Sequence, residues 1–130
     1  MAAAAAERAT REQREQLAEA FRAMELAARD VAEFSAADVD FHDTVMDISG
    51  QRLARAIVTS IHGKARTTSR YHGATTAARI AETIDEHRRI LDAICAGDAA
   101  GANAAMYEHI TGSWARRRPA AQANLDAAAG

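Results

Sequence analysis

The 130-residue chain has room for one domain with a single core, and an apolar share of 48% calls for a packed fold rather than disorder. Sixteen basic against eighteen acidic side chains give a formal charge of -2, a poor match to a polyanion, so no DNA contact is expected from this segment alone. The single cysteine, Cys95, excludes an internal disulfide and suits a reducing cytoplasm, while no signal-peptide pattern opens the chain and no apolar run reaches the ~18 residues of a membrane span.

Aromatic residues are only 5% of the chain, much of the apolar share is alanine, and no run alternates apolar with polar β-branched residues. The fold class expected is therefore all-α, an antiparallel bundle of about five to six helices. The alanines of "MAAAAAER" read as the tail of a helix. Thr10 opens "TREQ", a capping-box pattern with Gln13, and Leu17, Phe21, Met24, Ala28 and Val31 follow as a buried stripe. The spacing predicts one helix from about Thr10 to Glu33. Ser35 is the expected N-cap of the next helix, which carries Phe41, Val45 and Ile48 and ends near Ser49-Gly50.

A third helix is expected from about Gln51, with Leu53, Ile57 and Ile61 on one face. A loop belongs near Tyr71 to Thr75, where glycine and hydroxyl residues break the pattern. The next helix has the cleanest stripe, Ile80, Ile84, His87, Leu91 and Ile94, and stops at Gly97. Asp98 caps the last one, whose stripe reads Ala102, Met106, His109, Ile110 and Trp114 and whose end is predicted near "RRRP" at Pro119.

Asp38 and His42 stand four apart, so they share one helical face. Each has an ordinary explanation. Asp38 completes a variant capping box "SAAD" on Ser35, and His42 beside it reads as a surface pair. His87, however, sits mid-stripe, where an imidazole needs a partner to be tolerated. His109 faces inward from the following helix. Three helices thus supply imidazoles and one adds a carboxylate, a donor set suited to zinc, nickel or manganese. His62 and His72 fall off the stripes, and Asp40 and Asp43 are turned from the Asp38 face by roughly 200° and 100°. No further acid or base is expected on the ligand faces.

The blocks "DVDFHDTVMDISGQ" and "DEHRRILDAICAGDAAGANAAMYEHI" resemble the two signature blocks of the FCD domain, the effector-binding C-terminal domain of FadR-subfamily regulators in the GntR family. The resemblance implies an effector-binding domain over residues 1–119, its first helix truncated, with a flexible tail at 120–130. It implies metal ligands at Asp38, His42, His87 and His109, with zinc first and nickel or manganese as alternatives. Basic residues before the "EH" block make Arg70 and Arg79 the candidates to grip an effector. The family's "SGN" is here Ser49-Gly50-Gln51, and the winged helix-turn-helix that opens such regulators has no counterpart in the sequence. The function expected is a cytoplasmic ligand-sensing domain, a homodimer and not an enzyme, that holds a small carboxylate effector through the metal. In an intact regulator it would govern DNA binding. The alternatives are a metal-dependent DinB-like bundle enzyme or a metal-free dimerisation domain.

Overall fold

The computed structural model describes residues 1–53, 55–57, 60 and 76–129, with the backbone alone over 117–126. Among these residues the architecture is all-α. The helices delimited are α1 (Ala2–Arg8), α2 (Arg11–Leu26), α3 (Val31–Ser49), α4 (Ala77–Cys95) and α5 (Ala99–Ala129). Two helical hairpins, α2 with α3 and α4 with α5, pack together, and α1 lies among α3, α4 and α5.

The alanines of α1 explain its place. Ala2, Ala5 and Ala6 are fully buried, and side chains of a single methyl let the short helix sit against its neighbours at close range. α1 is a separate helix: the chain leaves helical geometry at Ala9, and Thr10 starts α2. The capping box expected there forms. Thr10 Oγ1 accepts from the Gln13 N–H at 3.1 Å, and the Thr10 N–H donates to Gln13 Oε1 at 3.0 Å.

The helix predicted from Thr10 to Glu33 is in fact two. α2 ends at Leu26, and Asp30 caps α3 by accepting the N–H groups of Ala32 and Glu33 at 3.0 and 3.1 Å. The cap assigned to Ser35 belongs to Asp30, and Ser35 lies inside α3. A side-chain carboxylate that satisfies two orphan N–H groups outweighs the continuous apolar spacing across the break. α3 closes at Gly50, whose φ of +70° is the left-handed conformation of a helix C-cap.

The α4–α5 turn follows the sequence closely. Gly97 also has φ +70°, its N–H donates to the Ile94 carbonyl at 3.1 Å and the Asp98 N–H to the Ala93 carbonyl at 2.9 Å, a Schellman arrangement. Asp98 Oδ1 then accepts the Gly101 N–H at 2.9 Å. This tight reversal sets α4 and α5 antiparallel, with His87 and His109 at similar heights.

Ala102, Met106 and His109 face inward as the spacing predicts, but Ile110 and Trp114 do not: Trp114 is 71% exposed. At ~100° per residue, Trp114 is rotated about 140° from His109 and cannot share its face. It lies instead with Tyr107 and Ile110 on the solvent side of α5. The helix also runs past Pro119 to Ala129 rather than ending there. Alanine-rich sequence on the far side has the propensity to remain helical despite the missing N–H. Leu53 and Ile57 are helical but exposed. Ile61, His62, Arg70, His72 and the loop expected at Tyr71 to Thr75 lie outside the described residues.

Candidate metal centre

α3 carries Asp38 and His42 two to three turns from its N-cap, which removes the capping explanation for Asp38. Phe41, between them and fully buried, anchors this stretch of α3 in the core: its ring meets Phe21 of α2 at 6.4 Å and His87 of α4 at 4.9 Å, both edge-on. α4 supplies His87, which is 0% exposed, and α5 supplies His109, which is also buried. One donor atom from each of Asp38, His42, His87 and His109 lies within 4.8 Å of all the others. These are the four residues that the resemblance implies as ligands, and together they could hold a metal ion.

The pairwise distances are short. His87 Nε2 is 2.9 Å from Asp38 Oδ1 and 3.1 Å from His42 Nε2, and His109 Nε2 is 3.3 Å from His42 Nε2. His42 Nε2 and Asp38 Oδ1, on the same helix, are 3.8 Å apart. Two ligands around a metal at about 2.0–2.1 Å stand about 2.9–3.4 Å from each other, a range that the first three of these distances fall in and the 3.8 Å one exceeds.

Outer hydrogen bonds decide what these atoms present. His87 Nδ1 is 2.7 Å from the carbonyl oxygen of Thr83, which can only accept. Nδ1 therefore donates to that carbonyl, and Nε2 is the nitrogen left to face the other three side chains. His109 Nδ1 donates to Glu86 Oε2 at 2.7 Å, which again leaves Nε2 to face inward. Asp38 Oδ1 is buried, with His87 Nε2 at 2.9 Å. A cation among these atoms would satisfy them together.

Surroundings set the ionisation of Asp38 and His109. Burial raises the Asp38 carboxyl, but the contact with His87 and the fields of His42, His87 and His109 outweigh it and bring its pKa to about 2. Burial, joined by the neighbouring His87, pushes His109 below the ordinary imidazole value against the opposing pull of Glu86 and Asp38. At neutral pH the site therefore offers an ionised carboxylate and a neutral imidazole, the forms that bind metal.

Glu86 is the residue that sequence reasoning missed. It stands beside His87 in "DEH", yet it reaches across to His109 on α5. Arg116 holds its other side, with Nη1 at 2.9 Å from Oε1 and Nη2 at 3.2 Å from Oε2. An acid does lie beside the ligands, contrary to expectation. Burial raises its pKa, but the bonds from Arg116 and His109 lower it overall, so it is held as an acceptor rather than as a proton donor. Arg79 lies in the first turn of α4, with Nη1 at 3.5 Å from Glu82. Asp40 is exposed, as its rotation on α3 requires.

A family model, the FCD domain, matches residues 1–112. The chain belongs to the FCD domain family. FCD domains are regulatory, ligand-sensing domains of GntR-family transcription factors, and the all-α bundle fits that class. None of the curated proteins compared with it matches the chain. Among the described residues no helix is long and apolar enough to cross a membrane.

Proposed function

We propose that this FCD domain binds one divalent transition metal through Asp38, His42, His87 and His109, and through that metal a small carboxylate effector. The observation that supports the reading is the convergence of Asp38, His42, His87 and His109, with Nδ1 of His87 and of His109 held from outside so that Nε2 of each faces inward. Nitrogen donors with one oxygen suit zinc first, with nickel or manganese as alternatives. A divalent cation and Asp38 leave a local charge of about +1, because the Glu86–Arg116 pair cancels itself. That charge attracts a carboxylate to the remaining coordination positions.

Arg79 lies in the first turn of α4, two turns before His87 and about 12 Å along the axis at ~1.5 Å per residue. It would therefore meet the far end of a di- or tricarboxylate, not the group on the metal, and Arg70 is proposed for the same role. The chain acts as a sensor, not an enzyme: Glu86, the acid nearest the imidazoles, is engaged on both oxygens and cannot serve as a free base. In this reading the domain works as a cytoplasmic homodimer, and effector binding shifts the arrangement of two copies and hence the DNA-reading heads of an intact regulator.

The test is elemental analysis of protein purified without a histidine tag, followed by melting with and without candidate acids. About one equivalent of metal per chain is expected, with acid-dependent stabilisation only in the metal-loaded form. Absence of metal and no response to added zinc, nickel or manganese would favour the metal-free dimerisation domain. Turnover of an acid would favour the enzyme.

A further inference from the structure

Behind the ligand set stands a relay of two charged side chains that takes no part in coordination. Glu86 Oε2 accepts the Nδ1 proton of His109 at 2.7 Å, and Arg116 forks onto both Glu86 oxygens at 2.9 and 3.2 Å. The side chains of Glu86 and Arg116 are 14% and 25% exposed, so the relay lies at the edge of the core rather than in bulk solvent. Arg116 is four residues beyond the end of the segment that the family model matches, and continuation of α5 brings it back to the site. Gly112, one turn earlier on the same helix, makes room for it: a Cβ there would stand 3.0 Å from Arg116 Nη1.

The histidines are not held alike. His87 leans on a backbone carbonyl, a neutral partner that side-chain substitution cannot remove. His109 leans on a carboxylate, whose charge makes the imidazole a stronger donor and whose plane sets the rotation of the ring. That plane is fixed in turn by the guanidinium fork of Arg116.

We propose that Glu86 and Arg116 are positioning residues that act through His109 to set the affinity and coordination geometry of the metal site. The inference rests on the metal reading above, and neither residue touches the metal. Zinc affinity of the full chain, measured by competition with a chromophoric chelator, and the visible absorption of the cobalt(II) form are compared for wild type, Arg116→Ala, Glu86→Ala and the double variant. Melting of the metal-free forms is followed in parallel.

Each single substitution is expected to weaken zinc binding by about 10–100-fold and to shift the cobalt bands. The double variant is expected within about threefold of Glu86→Ala, because Arg116 acts only through Glu86. Arg116→Lys, which keeps the charge and loses the fork, is expected to recover part of the loss. Zinc affinity and cobalt spectrum unchanged in Arg116→Ala, with or without a lower melting temperature, would overturn the proposal and leave the pair a structural one. Losses that multiply in the double variant would overturn it as well. A wild-type chain that takes up no metal would instead bring down the proposed function itself, so the two failures are distinguishable.

Discussion

His87 shows what a buried imidazole requires. It is wholly enclosed, its Nδ1 is committed to the Thr83 carbonyl, and its Nε2 faces Asp38 and His42. A bound metal would satisfy Nε2 while Nδ1 keeps its carbonyl. His87→Ala and His109→Ala should therefore each weaken metal binding by more than about a hundredfold, beyond the range of outer-shell changes. His62→Ala and His72→Ala should leave it intact. Isothermal titration of the four variants checks this, and equal losses in all four would mean that the ligands are wrongly assigned. The pH dependence follows from the same residues. The folded-state pKa of His109 is lowered, so as pH falls the unfolded chain takes up that proton first, and the stability present above the ordinary imidazole range is lost through and below it. Asp38 stays ionised until about pH 2 and does not set the limit. The melting gain from zinc should accordingly shrink between about pH 7.5 and 5 as protons compete for the imidazoles. A gain that is flat over that interval would contradict neutral histidine ligands.

At the scale of the helices, legibility depended on whether the signal was local. The α4–α5 turn was readable because Gly97 and Asp98 carry its two requirements, a left-handed residue and a cap. The α2–α3 break was not read, although Asp30 followed by Glu33 three residues on is itself a start signal. The apolar spacing through Ala28 and Val31 masked it. Asp30→Ala should cost about 1 kcal/mol through loss of two capping hydrogen bonds, whereas substitution of Ser35, inside α3, should cost less. Urea denaturation of both variants decides between the two caps, and a larger loss at Ser35 would restore the original assignment. The ligand faces were legible for a related reason. Periodicity fixes which side of a helix a histidine occupies, so Asp38, His42, His87 and His109 could be gathered before their distances were known. Glu86 could not, because its contact with His109 and Arg116 depends on how far α5 extends and how it crosses α4. Trp114 was misplaced for want of one rotation: five residues past His109, it faces outward.

Over the whole molecule the bundle brings three helices to one point, and the chain as a whole stays near electrical balance, at a formal charge of -2. A metal held there would be a local positive focus in a nearly neutral protein, and the affinity for an acid should then depend on the metal. Small carboxylates such as lactate, citrate or malonate should raise the melting temperature of the metal-loaded form, by the equivalent of about 2.7 kcal/mol at a hundredfold excess over the dissociation constant, and should not do so after chelation. An equal response in stripped protein would place the acid elsewhere. Arg79→Ala should reduce the response to di- and tricarboxylates while leaving metal content unchanged.

The central claim is that Asp38, His42, His87 and His109 form a metal-binding shell, and metal content tests it most directly. Elemental analysis of the untagged chain, before and after dialysis against a chelator and reloading, should return about one equivalent of a divalent transition metal. The metal should be lost with the chelator and regained on reloading, with a matching fall and rise in melting temperature. A chain that carries no such metal, takes none up at neutral pH and melts at the same temperature with and without zinc, nickel or manganese would contradict the account.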